Sequence, residues 1–411
     1  MAAMASAKGA VELAIGLIGY MALFLGLLQV AHVGGLLKLL ARAIRPLMVR
    51  LFPDVPEDHP AMGAIIMNIA ANMLGLGNAA TPLGIKAMQE LDKLNPHKGT
   101  ATNAMALFLA INTSGVALLP SGVVSVRAQE GSGDPWGIVA PSLIATGLST
   151  VVAIIAARLY SRLPFFAAPD TTLDEETDRI EPAETTELEE PVSRRAVALL
   201  GLFLSAGIGI LVVPPVWAAF LSSDDPRGER LRQFSDTAGD WVIPALMVSM
   251  LLFGHLRGVK VYEQFVEGAK EGFETAVRII PYMVAILVAV GMFRASGAMG
   301  LLTGGIGAWT GPLGLPGDAI PMALVRPLSG SGAFAVMSEV LHTHGPDTYI
   351  GYLVSVLNGS TETTFYVMAV YFGAVGVSRA RHAVAAGLTA DLTGVIATVL
   401  VCRVLFGHLM L

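Results

Sequence analysis

Amide, hydroxyl and charged side chains recur at four places inside otherwise apolar stretches of the chain. The first holds Asn72, Asn78 and Thr81 beside Gly75, Gly77 and Pro82. A second holds Arg326, Ser329 and Ser331 among Pro327, Gly330 and Gly332. The remaining two are Asn112-Thr113-Ser114 and Asn358-Gly359-Ser360-Thr361-Glu362. Together these side chains could hydrogen-bond a small polar solute. Arg326 could attract a carboxylate, or pair with Glu339 or Glu362. Thr81 is expected as the N-cap of a helix opening at Pro82, and a helix N-terminus facing a cavity suits an anionic group. Glu362 is an intramembrane acid, which is a functional signal by default. Glu90 and Glu339 at equivalent places, Glu362 itself, and Asp391 between Thr389 and Thr393 are the candidates for carrying a coupling ion. The plain alternatives are tight helix packing through small residues at the breaks, and structural hydrogen bonds or caps for the acids.

Other chemistries find no support in the residues. His342 and His344 lie two apart, not at the i, i+4 spacing that places two ligands on one helix face, so no metal site is expected. Cys402 is the single cysteine, which rules out a disulfide or a cysteine metal cluster within one chain. No nucleophile motif, phosphate loop or dinucleotide fingerprint stands out, and no enzyme activity or cofactor is expected beyond a coupling ion, Na+ or H+.

These groups must be positioned by membrane helices. Hydrophobic residues make up 54% of the 411 and charged residues 14%, against roughly 25% charged in soluble domains. Several apolar runs reach the ~20 residues needed to cross a bilayer. Expected full crossings are 11–31, 101–126, 136–158, 196–221, 240–256, 277–296, 349–372 and 383–408, about eight in all. Residues 60–92 and 319–342 are expected as re-entrant hairpins, each broken at its Gly/Pro stretch. Irregular backbone survives at membrane depth only inside protein or beside a wet cavity. Residues 36–52, with Lys38, Arg42, Arg45 and Arg50 among leucines, should lie in the interface. Much of the net charge of -6 comes from 168–191, a solvated acidic linker. Neither half is basic enough for nucleic acid.

The chain also matches itself. Ala7–Met21 lies over Ala269–Met283, sharing Lys8 with Lys270, Glu12 with Glu274 and Tyr20 with Tyr282. Met88-Gln89-Glu90 matches Met337-Ser338-Glu339, and Asn112 falls on Asn358. Lys/Arg in short loops set 11–31 running inward and 277–296 outward. The expected fold is therefore an all-α polytopic membrane protein of two inverted-topology repeats, with helix 196–221 as the extra crossing that joins them. The parts are 1–160, a linker 161–195, helix 196–221, and 239–411.

Four motifs carry a family resemblance. Pro53-Asp54-Val55-Pro56-Glu57-Asp58-His59-Pro60 and Asn72–Pro82 resemble spore maturation protein A. Arg326–Gly332 and Gly359-Ser360-Thr361-Glu362-Thr363 resemble spore maturation protein B. The chain thus looks like a fusion of the two, within the nucleoside-recognition "Gate" group. That resemblance implies solute or ion transport, with an elevator-like movement of the hairpins. The expected function is a secondary transporter of a small anionic or zwitterionic solute, in a bacterial cytoplasmic (inner) membrane and as a homo-oligomer. A membrane scaffold for envelope or sporulation processes and a divalent-cation channel are the alternatives.

Overall fold

The structure is a computed structural model that describes residues 2–115, 117–118, 120–167, 244–245 and 247–410. The expected helix 196–221, most of the acidic linker and the start of 240–256 lie outside the described residues, as does the side chain of Asn78.

Among the described residues the chain is helical, with an isolated bridge between Thr100 and Arg379. The first half holds α1 (Ala2–Val33), α2 (Leu36–Leu51), α3 (Pro60–Met73), α4 (Gly77–Lys93), α5 (Asn103–Ser114), α6 (Ser121–Gln129) and α7 (Val139–Tyr160). The second holds α8 (Met247–Leu256), α9 (Val261–Ala295), α10 (Ala298–Thr310), α11 (Ile320–Val325), α12 (Gly330–His344), α13 (Tyr349–Ser360), α14 (Thr364–Gly373) and α15 (Ala383–Phe406).

Four helices are long and apolar enough to span a bilayer: Ala7–Val33, Val139–Tyr160, Val261–Ala289 and Ala383–Leu409. Two expected crossings are split instead, 101–126 into α5 and α6 and 349–372 into α13 and α14. Residues α3 and α4 pack against each other as a hairpin closed by Gly75, whose φ of 73 only glycine adopts freely. Amphipathic α2 buries Leu37, Leu40 and Met48 while Lys38, Arg45 and Arg50 stay exposed. Along α15 a stripe of Leu388, Leu392, Ile396 and Leu400 is exposed at helical spacing, the face such a helix turns to lipid. Its opposite face is built from small residues, with Gly387, Ala390 and Gly394 buried.

One expectation needs correction. The helix after the first break starts at Gly77, capped by Leu76, and Pro82 lies inside it. Thr81 is therefore no N-cap. The turn at Gly75 already re-aims the chain, so the helix begins before the proline. Pro82 is the sixth helical residue, so its missing N–H removes the bond that Asn78 O would have accepted.

The helices α1 and α9, matched in sequence, run antiparallel. Ala10 and Ala14 cluster with Met283 and Leu287, whereas Ala22 meets Gly272 and Gly26 meets Phe265. The split helices are tied head to tail. Arg127, fully buried at the end of α6, donates to Pro346 O (2.6 Å), Asp134 O (3.0 Å) and Asp347 Oδ1 (2.9 Å) just before α13. It also lies over the Tyr352 ring at 4.2 Å. Beyond α14, Arg381 donates to Ala101 O (3.0 Å) and Arg379 O accepts from Ala101 N (2.9 Å), just before α5.

Candidate functional site

The breaks in α5/α6 and α13/α14 meet, and their freed backbone groups find identifiable partners. In an unbroken helix Glu362 N–H would bond Asn358 O. It donates instead to Thr113 O, 3.0 Å away in the other half. The carbonyl released at Asn358 accepts from Arg326 Nη2 at 3.0 Å, and Thr361 O accepts from the same nitrogen. In the first half, Ser114 O and Gly115 O accept from the Thr146 hydroxyl of α7 at 2.8 and 2.6 Å. Each hairpin break is also stitched to its neighbour, Leu118 N to Met73 O at 2.7 Å and Phe365 N to Pro327 O at 3.1 Å. This satisfies the requirement that backbone at membrane depth be paired inside the protein.

Around this backbone the side chains differ between halves. Asn72 Nδ2 donates to Asn112 Oδ1 at 2.8 Å, and Asn112 Nδ2 to Phe108 O at 2.9 Å. Arg326, 7% exposed, faces Glu362 at 3.7 Å and Thr363 Oγ1 at 3.4 Å. The Glu362 side chain is half exposed. Gly115 (φ 42) lets it in, since a Cβ there would sit 2.6 Å from Glu362 Cγ. The accessible charge at the junction is thus the carboxylate, while the guanidinium is taken up by carbonyls.

The remaining sequence candidates fall as follows. Ser329 caps α12, accepting from Gly332 N at 3.0 Å. Ser331 is half-buried in the first turn of α12 and Thr81 half-buried in α4. The Asn358 amide donates to Met337 Sδ at 3.3 Å. Ser360 pairs with Thr398 at 3.0 Å, Ser114 with Thr150 at 2.9 Å, and the Thr113 and Thr361 hydroxyls bond carbonyls in the preceding turn. Glu90 pairs with Lys93 at 2.8 Å, ~20 Å along α4 from the break. Glu339 lies ~14 Å along α12, where its carboxylate is 3.5 Å from the Thr343 hydroxyl. Neither joins the junction. Asp391 does, on the small-residue face of α15.

A cavity of about 330 Å³ opens beside the first break, lined by Gly75, Leu76, Ser121 and Gly122 and, across from them, by α1 and α9. Its polar wall is Gln29, His32, Ser125, Glu271 and Thr275, and Thr275 Oγ1 is buried without a hydrogen-bond partner. That volume lies at the small end of ligand sites. Sequence reading missed this wall. The shared Glu and Lys of the α1/α9 match drew attention to the helices as a repeat rather than as a lining. Asn68 was missed too: fully buried, it donates to Ala80 O (2.8 Å) and Tyr371 Oη (3.2 Å), joining the first hairpin to α14. An asparagine inside an apolar run was the available signal.

The helices and buried polar junctions define a multi-pass membrane protein, and the Gate family, described as nucleoside recognition, matches residues 14–130 and 276–378. The chain belongs to that family. It is 45% identical over 166 residues to spore maturation protein B of Bacillus subtilis (strain 168), covering 40% of this chain and 93% of that protein. It is 47% identical over 154 residues to spore maturation protein A of the same organism, covering 38% of this chain and 79% of that protein. The two matches fall on different parts of the chain, as in a fusion. Among solved structures, the YdaH transporter of Alcanivorax borkumensis aligns over 98% of this chain and 87% of its own at a TM-score of 0.37 and 16% identity.

Proposed function

We propose that the protein is a secondary transporter of a small polar solute in a bacterial cytoplasmic membrane. Its two halves are inverted repeats and the broken hairpins are its moving parts, in an elevator-like movement. The observation that carries this reading is the cavity at the first break, walled by hydroxyls, an amide, an imidazole and one carboxylate. Dry packing of small residues would leave no such space. The antiparallel run of the sequence-matched helices α1 and α9 supports the inverted repeat.

Of the two solute classes considered from sequence, zwitterions fit better than anions. The charged groups nearest open space, Glu271 in the cavity and Glu362 at the junction, are both carboxylates. They favour a solute that brings an ammonium or several hydrogen-bond donors. The test is a thermal-shift screen of zwitterionic and purely anionic solutes on purified protein, repeated with Glu271→Gln and Asn72→Ala. A stabilising solute gives a shift that grows with the logarithm of its concentration, and both variants should abolish it. Stabilisation by anions alone, or unchanged in Glu271→Gln, would overturn the assignment.

A further inference from the structure

Asp391 sits near the middle of α15, 5% exposed, and neither of its carboxylate oxygens has a hydrogen-bond partner among the described residues. It occupies the face by which α15 presses on the second break. A Cβ at Gly387 would meet Thr364 Cγ2 at 2.8 Å, and Gly394 abuts Thr361. The Thr364 hydroxyl is the polar group that interacts with the carboxyl, though the two do not meet in full hydrogen-bonding geometry. The polar groups around this turn of α15 are Ser149 and Tyr160 from α7, Thr113 from α5, Ser360 and Thr361 from α13, and Thr364 from α14. Tyr160 Oη is taken by Thr389 at 3.1 Å. The charged groups within influence are Arg326 and, through its pair with Arg326, Glu362.

An ionised carboxylate with no partner at this depth is heavily penalised, so the group holds a proton instead. A bound metal cation would have the Arg326 charge close by, which disfavours Na+. We propose that Asp391 is a proton-carrying site, neutral in this conformation, that releases its proton to water when the Arg326–Glu362 pair opens. Arg326 is shared between two acids. Whatever draws Glu362 away leaves the guanidinium field acting on Asp391 alone and favours its ionised form. Only the use of that proton, to drive solute movement, rests on the transport reading.

The test needs no solute. Infrared difference spectra of the full protein in lipid vesicles, taken as a function of pH, report the protonated-carboxyl band. Wild type should show a band that titrates away on raising pH and is missing in Asp391→Asn. In Glu362→Gln its midpoint should move to lower pH, because Arg326 then acts on Asp391 alone. Thr364→Val, which leaves the acid in place, should move the midpoint upward. The proposal is overturned if Asp391→Asn leaves the band unchanged, if the band never titrates, or if added Na+ removes it at fixed pH. Should the solute screen fail while the band titrates as stated, the transport reading falls and the proton site stands.

Discussion

Arg326 supplies at one position what a broken helix in water would take from solvent. Its donors go to Asn358 O, Thr361 O and Thr363 Oγ1, and its charge to Glu362. A lysine has a point charge and cannot reproduce that fork. Arg326→Lys should cost about 2 kcal/mol, and Arg326→Leu about 3 kcal/mol because carbonyls are left bare. Both are measurable as lowered thermal stability in detergent. His382 makes a separate prediction. It is 1% exposed in the loop before α15, and both ring nitrogens lack partners. Burial first, then the neighbouring Arg381, push its imidazole down from 6.5 to about 4. The folded protein therefore resists a proton that the unfolded chain accepts. The stabilisation is complete above pH 6.5 and is lost as pH falls toward 4, by about 3 kcal/mol. His382→Gln should flatten that part of the stability–pH curve. If the curve is the same in both proteins, the assignment is wrong. At this scale the sequence was informative about which side chains are polar in the wrong place, since Asn72, Asn112, Arg326 and Glu362 all reach the junction. It could not say which hydroxyls would be spent on caps and carbonyls, because those bonds follow from where each helix stops.

At the scale of elements, α1 and α9 approach through glycines. A Cβ at Gly272 would sit 2.7 Å from Ala22 Cα, and one at Gly26 would lie 2.8 Å from the Phe265 ring. Small residues let helix backbones close on each other in a membrane, where packing rather than water drives association. Gly272→Leu should force the helices apart and cost about 3 kcal/mol, read as loss of the monodisperse peak in fluorescence-detected size exclusion. Gly304→Ala, with nothing among the described residues within 4 Å of the added carbon, should behave as wild type. The existence of most helices was legible from apolar length, and the breaks from glycine and proline. The start of α4 was not. Proline at a first helical position is a strong statistical signal, but the backbone had already turned at Gly75, five residues before Ala80.

For the whole molecule, the halves hold each other through buried contacts. Arg127 reaches Asp347, Arg381 reaches Ala101, and Asn68 reaches Tyr371. Two chains, 1–195 and 196–411, should therefore copurify when coexpressed. Arg127→Ala should weaken that association by about 3 kcal/mol, measured by the fraction of one half retained by an affinity tag on the other. Deletion of the acidic run 168–191 should leave thermal stability and any solute response intact; loss of function with an intact fold would favour a scaffold instead. The match of Lys8, Glu12 and Tyr20 to Lys270, Glu274 and Tyr282 singled out two helices, α1 and α9, that pack together. The tie between Arg127 and the loop before α13 was not legible in the sequence, because it depends on how one half lies against the other.

That tie also sets an order of events during synthesis. When the ribosome has completed α6, the groups that will bury Arg127 lie 219 and 220 residues further along. Until residues 346 and 347 emerge, the guanidinium has Ser132 and Asp134 O beside it but must give its other donors and its charge to water or lipid headgroups, and the end of α6 cannot settle at its final depth. The first half is thus held unfinished by the absence of the second. A chain interrupted anywhere before α13 carries a cation without its counter-charge, by which an incomplete product is distinguishable from a finished one.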